Sequence, residues 1–304
     1  MKRENGEKMN NQFIREDVDF YSNKTRCSSW VYLPNINKKC PVIVMAHGLG
    51  GVREMRLDVY AERFAAAGYA CFLFDYRNFG ASDGNKRQLI NVKEQLTDWN
   101  CAIDFIKKDD RFDSNKILLF GSSFSGGHVI TLSSKRKDIL AAISQCPYTN
   151  TLATMGTLSP LSTLKTVPLV IFDLLSCVTG YHPVLIKLGD KRGKIAIMAV
   201  SDYNGYLEQV PENSNFVNKA PARTLLEFIK YSPSRYTKDI TIPIYYAVCR
   251  KDTLAPSKAT VKCAKLSKKA TIREYDCGHF DIYLGNYFEN AIADYIGFFD
   301  KNTK

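Results

Sequence analysis

Residues 117–130 read ILLFGSSFSGGHVI, an apolar run that stops at Gly121 and gives way to serines and glycines. A serine hydroxyl is a weak nucleophile. It becomes effective when a tight turn between a strand and a helix exposes it and a base stands beside it. Such a turn needs small residues two positions to either side, the spacing G-x-S-x-G. Gly121-Ser122-Ser123-Phe124-Ser125 meets that spacing with a serine at the last small position, and Gly126-Gly127 follow. Ser123 is therefore the expected nucleophile. Ser122 is expected to point elsewhere, and Ser125 to sit at the N-cap or first turn of the next helix. A Gly/Ser-rich turn without catalysis is the plain structural alternative.

The chain has four histidines, so a base can be sought by elimination. His47 opens HGLGG after an apolar run and is expected to shape a loop. His128 falls inside the helix after Ser123 and would point away. His182 precedes a proline in a different kind of segment. His279, in CGHFDIY, follows the strand-like TIREYD and is the expected base. A third group must orient the imidazole and offset its charge. Asp252, in CRKDTLAP just after an apolar strand, is the expected acid, with Asp276 and Asp281 as rivals closer to the histidine. Asp281 is expected to hold the histidine loop instead. An acyl-transfer site also needs donors for the oxyanion that develops. The backbone N–H groups of Leu49 and Phe124 are expected to supply them. Gly48, Gly50 and Gly51 would let the HGLGG loop approach, and Gly121 would permit the turn. A phosphate cradle needs G-x-G-x-x-G or a GKS/GKT ending, and neither stands here. No cofactor and no metal is expected.

These residues need elements to hold them. PVIVMA, YACFLFDY, KILLF, LAAISQC and TIPIYYAVC are strand-like runs, most of them apolar throughout. Amphipathic helical patterns alternate with them, in EMRLDVYAERFAAAG, VKEQLTDWNCAIDFIKK, KATVKCAKLS and YFENAIADYIGFF. Strands buried on both faces and separated by helices imply a mostly parallel sheet covered on both sides. Ligands then bind beyond the C-terminal strand ends, where the serine turn and both expected partners fall. From about Pro147 to Thr241 the rhythm breaks, and an inserted helical cap over that edge is expected. The organisation reads as a frayed tail over 1–16, core over 17–146, cap over 147–241 and core again over 242–304. PLVIFDLL in the cap is expected to line an acyl pocket, with Phe172 facing it.

Composition narrows the class. The chain has 304 residues, is 45% hydrophobic and carries a formal charge of +11. The cations are spread out and lack an aromatic-basic repeat, so a solvated surface is expected and nucleic-acid binding is not. Nine scattered cysteines show no C-x-x-C pair, which suits buried free thiols in a reducing compartment. The polar start MKRENGEKMNNQF has no apolar core of a signal peptide, and VPLVIFDLLSCVTG looks short for a spanning helix. A cytoplasmic protein without stable membrane insertion is expected; peripheral membrane contact and oligomeric state stay open.

HGLGG, FDYRNFGASDG, GSSFSGG, CRKDTLAP and GHFDIY occur in the order that resembles the α/β-hydrolase superfamily, from about residue 17 to 300. GSSFSGGH with GHFDIY is most similar to a group of bacterial hydrolases and fungal polyketide transferases, for which Ser125 in place of the second glycine is usual. The resemblance implies an α/β-hydrolase fold and serine ester, thioester or amide chemistry, without fixing a substrate. The leading expectation is a hydrolase of a small-molecule acyl ester or thioester. An acyltransferase using the same acyl-enzyme, and a non-catalytic binding module, are the alternatives.

Overall fold

The computed structural model describes residues 9–10, 12–36, 38–157 and 160–304. The chain opens with β1 (Met9–Asn10), β2 (Phe13–Ser22), β3 (Thr25–Pro34) and β4 (Cys40–Ala46). Then follow α1 (Leu57–Ala66), β5 (Ala70–Phe74), α2 (Val92–Ile106), β6 (Phe112–Ser122), α3 (Phe124–Lys135) and β7 (Ala141–Gln145). The insertion holds α4 (Thr151–Met155), α5 (Pro160–Thr179), β8 (Leu185–Lys191), β9 (Ala196–Val200), α6 (Asn204–Leu207), β10 (Ala220–Pro221) and α7 (Leu225–Lys230). The core resumes with β11 (Ile244–Cys249), α8 (Ser257–Ala264), β12 (Ala270–Tyr275) and α9 (Gly285–Thr303).

The main sheet runs β1-β2-β3-β5-β4-β6-β7-β11-β12. From β5 to β12 neighbouring strands are parallel, while β2, β3 and β5 pair antiparallel. β5, β7 and β11 are buried along their whole length, which is why their sequences lack polar alternation. Successive residues still face opposite layers. Val42 and Val44 join Trp99 of α2 and Val129 of α3 on one side, whereas Ile43 and Met45 join Phe64 of α1 and Tyr295 of α9 on the other. α1 buries Leu57, Tyr60, Ala61, Phe64 and Ala65, a three-four spacing on one helical face. It ends before Gly68, whose φ of +93° a side chain would resist. Asn91 caps α2 by accepting from the Glu94 N–H at 2.9 Å.

Two features exceed the sequence reading. Phe13–Glu16, placed in a frayed tail, are part of β2 and pair with Val31–Pro34. Arg15 lies over the Trp30 ring at 4.5 Å and Glu16 meets Arg111 at 2.6 Å, tertiary contacts that hold this edge. Residues 1–8 and 11 of the expected tail lie outside the described residues. The insertion is helical in α4 to α7, and it also carries a small sheet, β10-β8-β9. Its longest helix reaches back through Pro168 to Pro160, giving a 20-residue helix in which an 18-residue stretch has mean hydropathy 1.6. By length and composition it could cross a membrane, unlike the shorter run picked out in the sequence. It carries a buried carboxylate, Asp173, paired with Arg223 at 2.7 Å within the insertion.

A buried polar chain ties the strand ends together. Tyr295 of α9 donates to the Gln145 side-chain oxygen Oε1 at 2.8 Å, and the Gln145 side-chain Nε2 donates to Ser122 Oγ at 2.9 Å. Ser122 in turn hydrogen-bonds Tyr283, which follows His279. Buried polar groups left without partners cost about 1–3 kcal/mol each. Gln145→Ala is thus expected to lower unfolding free energy by about that amount, read by chemical denaturation. An unchanged midpoint would show that Ser122 and Tyr295 find other partners when Gln145 is removed.

Candidate active site

Ser123 lies between β6 and α3 with φ 57° and ψ −119°, a left-handed conformation uncommon outside glycine. Its backbone is pinned on both sides. The Ser123 N–H donates to the Gln145 carbonyl at 2.9 Å, and its carbonyl accepts from Tyr148 N–H at 2.9 Å. Small neighbours let the turn close. A side chain at Gly121 would stand 2.5 Å from the Ser125 carbonyl oxygen, so α3 could not pack so near β6. Ser122 is buried and faces Tyr283 and Gln145. Ser125 lies in the first turn of α3, where its hydroxyl meets Tyr76 at 2.9 Å. Of the three serines, Ser123 alone meets the expected base.

His279 Nε2 stands 3.0 Å from Ser123 Oγ, and its Nδ1 stands 2.7 Å from Asp252 Oδ2. The other Asp252 oxygen accepts from the N–H groups of Leu254 and Ala255 at 2.8 and 2.6 Å. Those donors fix the orientation of the side chain. With the Nδ1 proton donated to Asp252, Nε2 is free to accept from the serine hydroxyl. Burial works against an imidazolium at His279, but the adjacent Asp252 carboxylate overrides it and raises its pKa well above the ordinary value. The rivals are engaged elsewhere. Asp276 pairs with Lys251 at 3.1 Å on the surface, and Asp281 accepts from Gly278 N–H at 2.7 Å, bracing the histidine loop.

The other histidines lie elsewhere. His47 Nε2 donates to the Met55 carbonyl at 2.8 Å while Nδ1 accepts from Gly48 N–H at 2.8 Å. Burial lowers its pKa to about 4, so it is a neutral loop brace. His128 is buried between Tyr231 and Gln95, and His182 is exposed in the insertion. Leu49, Ser123, Phe124 and His279 share the wall of one pocket. Phe124 is the first residue of α3, so its N–H has no intrahelical acceptor. Gly50 packs on Leu188 and Gly51 on the His47 ring.

Some contributors have no role assigned from the sequence, even where, as for Asp75, they lie in a block noted above. Asp75, inside FDYRNFGASDG, accepts from Arg53 N–H at 2.7 Å and so fixes the chain beyond HGLGG. Tyr206 of α6 donates to the Leu49 carbonyl at 2.8 Å, coupling insertion to loop. Cys146, just past β7, lies with Asp252 and His279 in a group whose polar atoms are all within 4.8 Å. Burial opposes ionisation of its thiol, yet Cys249 and His279 draw it down to about 6. A cation held by this group would have to displace the 2.7 Å hydrogen bond between His279 and Asp252.

The pocket above Ser123 encloses about 450 Å³ and is walled mainly by apolar side chains. Val170, Ile171 and Leu174 of α5, Met198 of β9 and Phe228 of α7 contribute. Phe172, expected inside it, is 59% exposed and points outward. Neighbours one position apart on a helix diverge by about 100°, so with Ile171 at the pocket Phe172 turns to the outer side.

Gly48 tests the geometry. A Cβ there would stand 2.8 Å from Ser123 Cβ and 3.1 Å from the Ser122 carbonyl oxygen. Gly48→Ala is expected to slow labelling of the protein by a fluorophosphonate at least tenfold while far-UV circular dichroism is kept, an order of magnitude set by about 1.4 kcal/mol of misplacement. Labelling at the wild-type rate would show that the loop yields without disturbing Ser123.

The sequence pattern of the family described as serine aminopeptidase, S33, matches residues 37–280. The chain is 42% identical over 286 residues to the quorum-quenching protein AidA of Acinetobacter baumannii (strain MDR-ZJ06), covering 94% of each. It is 25% identical to the polyketide transferase af380 of Aspergillus fumigatus, over 95% of this chain and 98% of that one. The solved α/β hydrolase GrgF from Penicillium sp. sh18 superposes with a TM-score of 0.80 at 21% identity, covering 95% of this chain and 98% of that one. The strand order, the turn at Ser123 and these likenesses agree, and the chain belongs to the α/β hydrolases, within the serine aminopeptidase S33 family.

Proposed function

We propose that this protein is a serine hydrolase that cleaves small-molecule acyl esters or thioesters through an acyl-enzyme on Ser123. The observation that carries this is the hydrogen-bonded line from Ser123 Oγ through His279 to Asp252, at 3.0 and 2.7 Å, opening into an apolar pocket. In this reading Ser123 Oγ bonds to the acyl carbon as its proton passes to His279 Nε2. The carbonyl oxygen becomes an oxyanion facing the Leu49 and Phe124 N–H groups, and Asp252 offsets the imidazolium. The tetrahedral centre collapses, the leaving alcohol or thiol takes the proton from His279, and the acyl group stays on Ser123. Water then gives a proton to His279 and bonds to the acyl carbon; the second tetrahedral centre collapses, the bond to Ser123 Oγ breaks, Oγ takes the proton back from His279, and the acid leaves. The insertion acts as a cap that selects the acyl group.

Transfer to an alcohol or amine in place of water is a second reading. The largely apolar pocket wall, which offers water few partners near the acyl carbon, favours it, as does the relative named a polyketide transferase. A binding module has less support, because all three expected residues are present and joined. The quorum-quenching name of the 42% identical relative makes a cyclic acyl ester worth including among substrates.

Turnover of p-nitrophenyl acyl esters, acyl-thioesters and an acyl lactone, with and without an acceptor alcohol, tests the proposal. Ser123→Ala is expected to abolish turnover and fluorophosphonate labelling; persistent labelling of that variant would sink it. The base must be neutral to act, so kcat/KM is expected to fall as pH drops, with a midpoint above the ordinary 6.5 because His279 is raised. Asp252→Asn is expected to cost about 10⁴-fold in rate and to move that midpoint down. Asp281→Asn should cost far less.

Chain-length preference tests the cap. Ile171→Ala removes pocket wall and is expected to shift the ratio of kcat/KM for long against short acyl esters, by about 10- to 200-fold at most. Phe172→Ala, on the outer side, should leave the ratio unchanged. Equal ratios in both variants would mean that the acyl group is selected elsewhere.

A further inference from the structure

α5 lines the pocket with Val167, Val170, Ile171 and Leu174 beside three hydroxyl side chains, and it is also apolar on the side that faces away. Leu161, Leu164, Pro168, Phe172 and Leu175 recur at three- and four-residue spacing and form one outward stripe. Leu164 is 72% and Phe172 59% exposed. Val167, Ile171 and Leu174, between the two sides, are exposed and also line the pocket. An apolar surface therefore runs without a break from the outer stripe to the space above Ser123. An exposed apolar patch of this extent marks a surface that something covers.

The charges beside it select the occupant. Lys165 of α5 shares a shallow hollow with Lys187 and Lys194 of the β8–β9 region. Lys191 and Arg192 are exposed in the same turn. In residues 185–195 the sole carboxylate is Asp190, which already pairs with Lys187 at 2.9 Å. A long apolar helix with cations along one flank is the arrangement that lies in a lipid interface and draws anionic headgroups. A second copy of the chain docked by two-fold symmetry on this face would bring the same cations of both copies close together.

We propose that α5 and the cationic turn beside it dock the protein on an anionic lipid surface, with the pocket mouth at the level of the acyl chains. The helix lies in the interface and does not span it, because Asp173 on its inner side stays paired with Arg223. An acyl substrate dissolved in the lipid would then reach the pocket along Val167, Ile171 and Leu174 without crossing water.

Flotation of the full chain with vesicles tests the docking, and because it reads binding it is independent of any catalytic reading. Vesicles of phosphatidylglycerol with phosphatidylcholine are compared with phosphatidylcholine alone, at low and high salt. The wild-type protein is expected to float with the anionic vesicles and to lose about tenfold or more of that binding in high salt. The pair Lys187→Glu and Lys194→Glu should lose the preference for anionic vesicles, whereas Lys268→Glu with Lys269→Glu, equal in charge but outside this face, should keep it. Leu164→Glu with Phe172→Glu should abolish flotation while thermal melting is unchanged, since both side chains are exposed. Three results would overturn the proposal: no flotation of wild type with anionic vesicles, equal loss in the two lysine pairs, or a stable wild-type dimer in sedimentation that the Leu164→Glu with Phe172→Glu pair converts to monomer.

Discussion

A single residue in a left-handed backbone conformation governs the layout around the pocket. Ser123 turns the chain from β6 into α3 at φ 57°, and a non-glycine residue held so costs about 1–3 kcal/mol. The surroundings must over-determine it. Hydrogen bonds to Gln145 and Tyr148 clamp its amide and carbonyl, Gly121 lets the helix return against the strand, and Gly48 lets the HGLGG loop come within contact of the side chain. Each of these neighbours is constrained by the turn, which explains the density of small residues there better than any local propensity does.

The same constraint reaches His279 through polar groups rather than apolar packing. Tyr295, Gln145, Ser122 and Tyr283 link α9, β7, β6 and the segment after His279. Rigid strand ends therefore hold the serine and the imidazole 3.0 Å apart even though 156 positions separate them. Asp252 is held from its own turn by the Leu254 and Ala255 amides, so its position does not depend on the histidine. Beneath them Cys146 adds a thiol to the group around the imidazole. In its ionised form that sulfur favours the charged ring, in the same direction as Asp252.

The insertion meets different demands on its two sides. Toward the core it walls an apolar space and grips the HGLGG loop through Tyr206 and Leu49. Away from the core its long helix stays apolar where solvent would favour polar residues. The buried Asp173, paired with the partly buried Arg223, fixes how that helix seats on the rest of the insertion. Since removing one member would leave a buried charge, the pair fixes the rotation of α5 and thereby decides which residues face the pocket and which face out.

Much of the core was legible in the sequence because burial on both faces writes itself as unbroken apolar runs, and helix faces as three-four spacing. PVIVMA, YACFLFDY, KILLF and IYYAVC are strands for that reason. The candidate triad was legible too, since a strained turn demands small residues at fixed spacing and only four histidines competed. What the sequence could not decide was anything set by facing. Phe172 and Ile171 are equally apolar neighbours, and only the seating of α5 sends one outward and the other to the pocket. Cys146 and Tyr206 carry no local pattern, and the motif around Asp75 does not show its role, because their contacts join segments far apart in the chain. The first four residues of β2, Phe13–Glu16, were likewise hidden, held by Arg15 on Trp30 and Glu16 on Arg111. Sequence periodicity records how deeply a residue is buried; which partner it meets there is decided by the packing of distant segments, and only the tertiary structure supplies that.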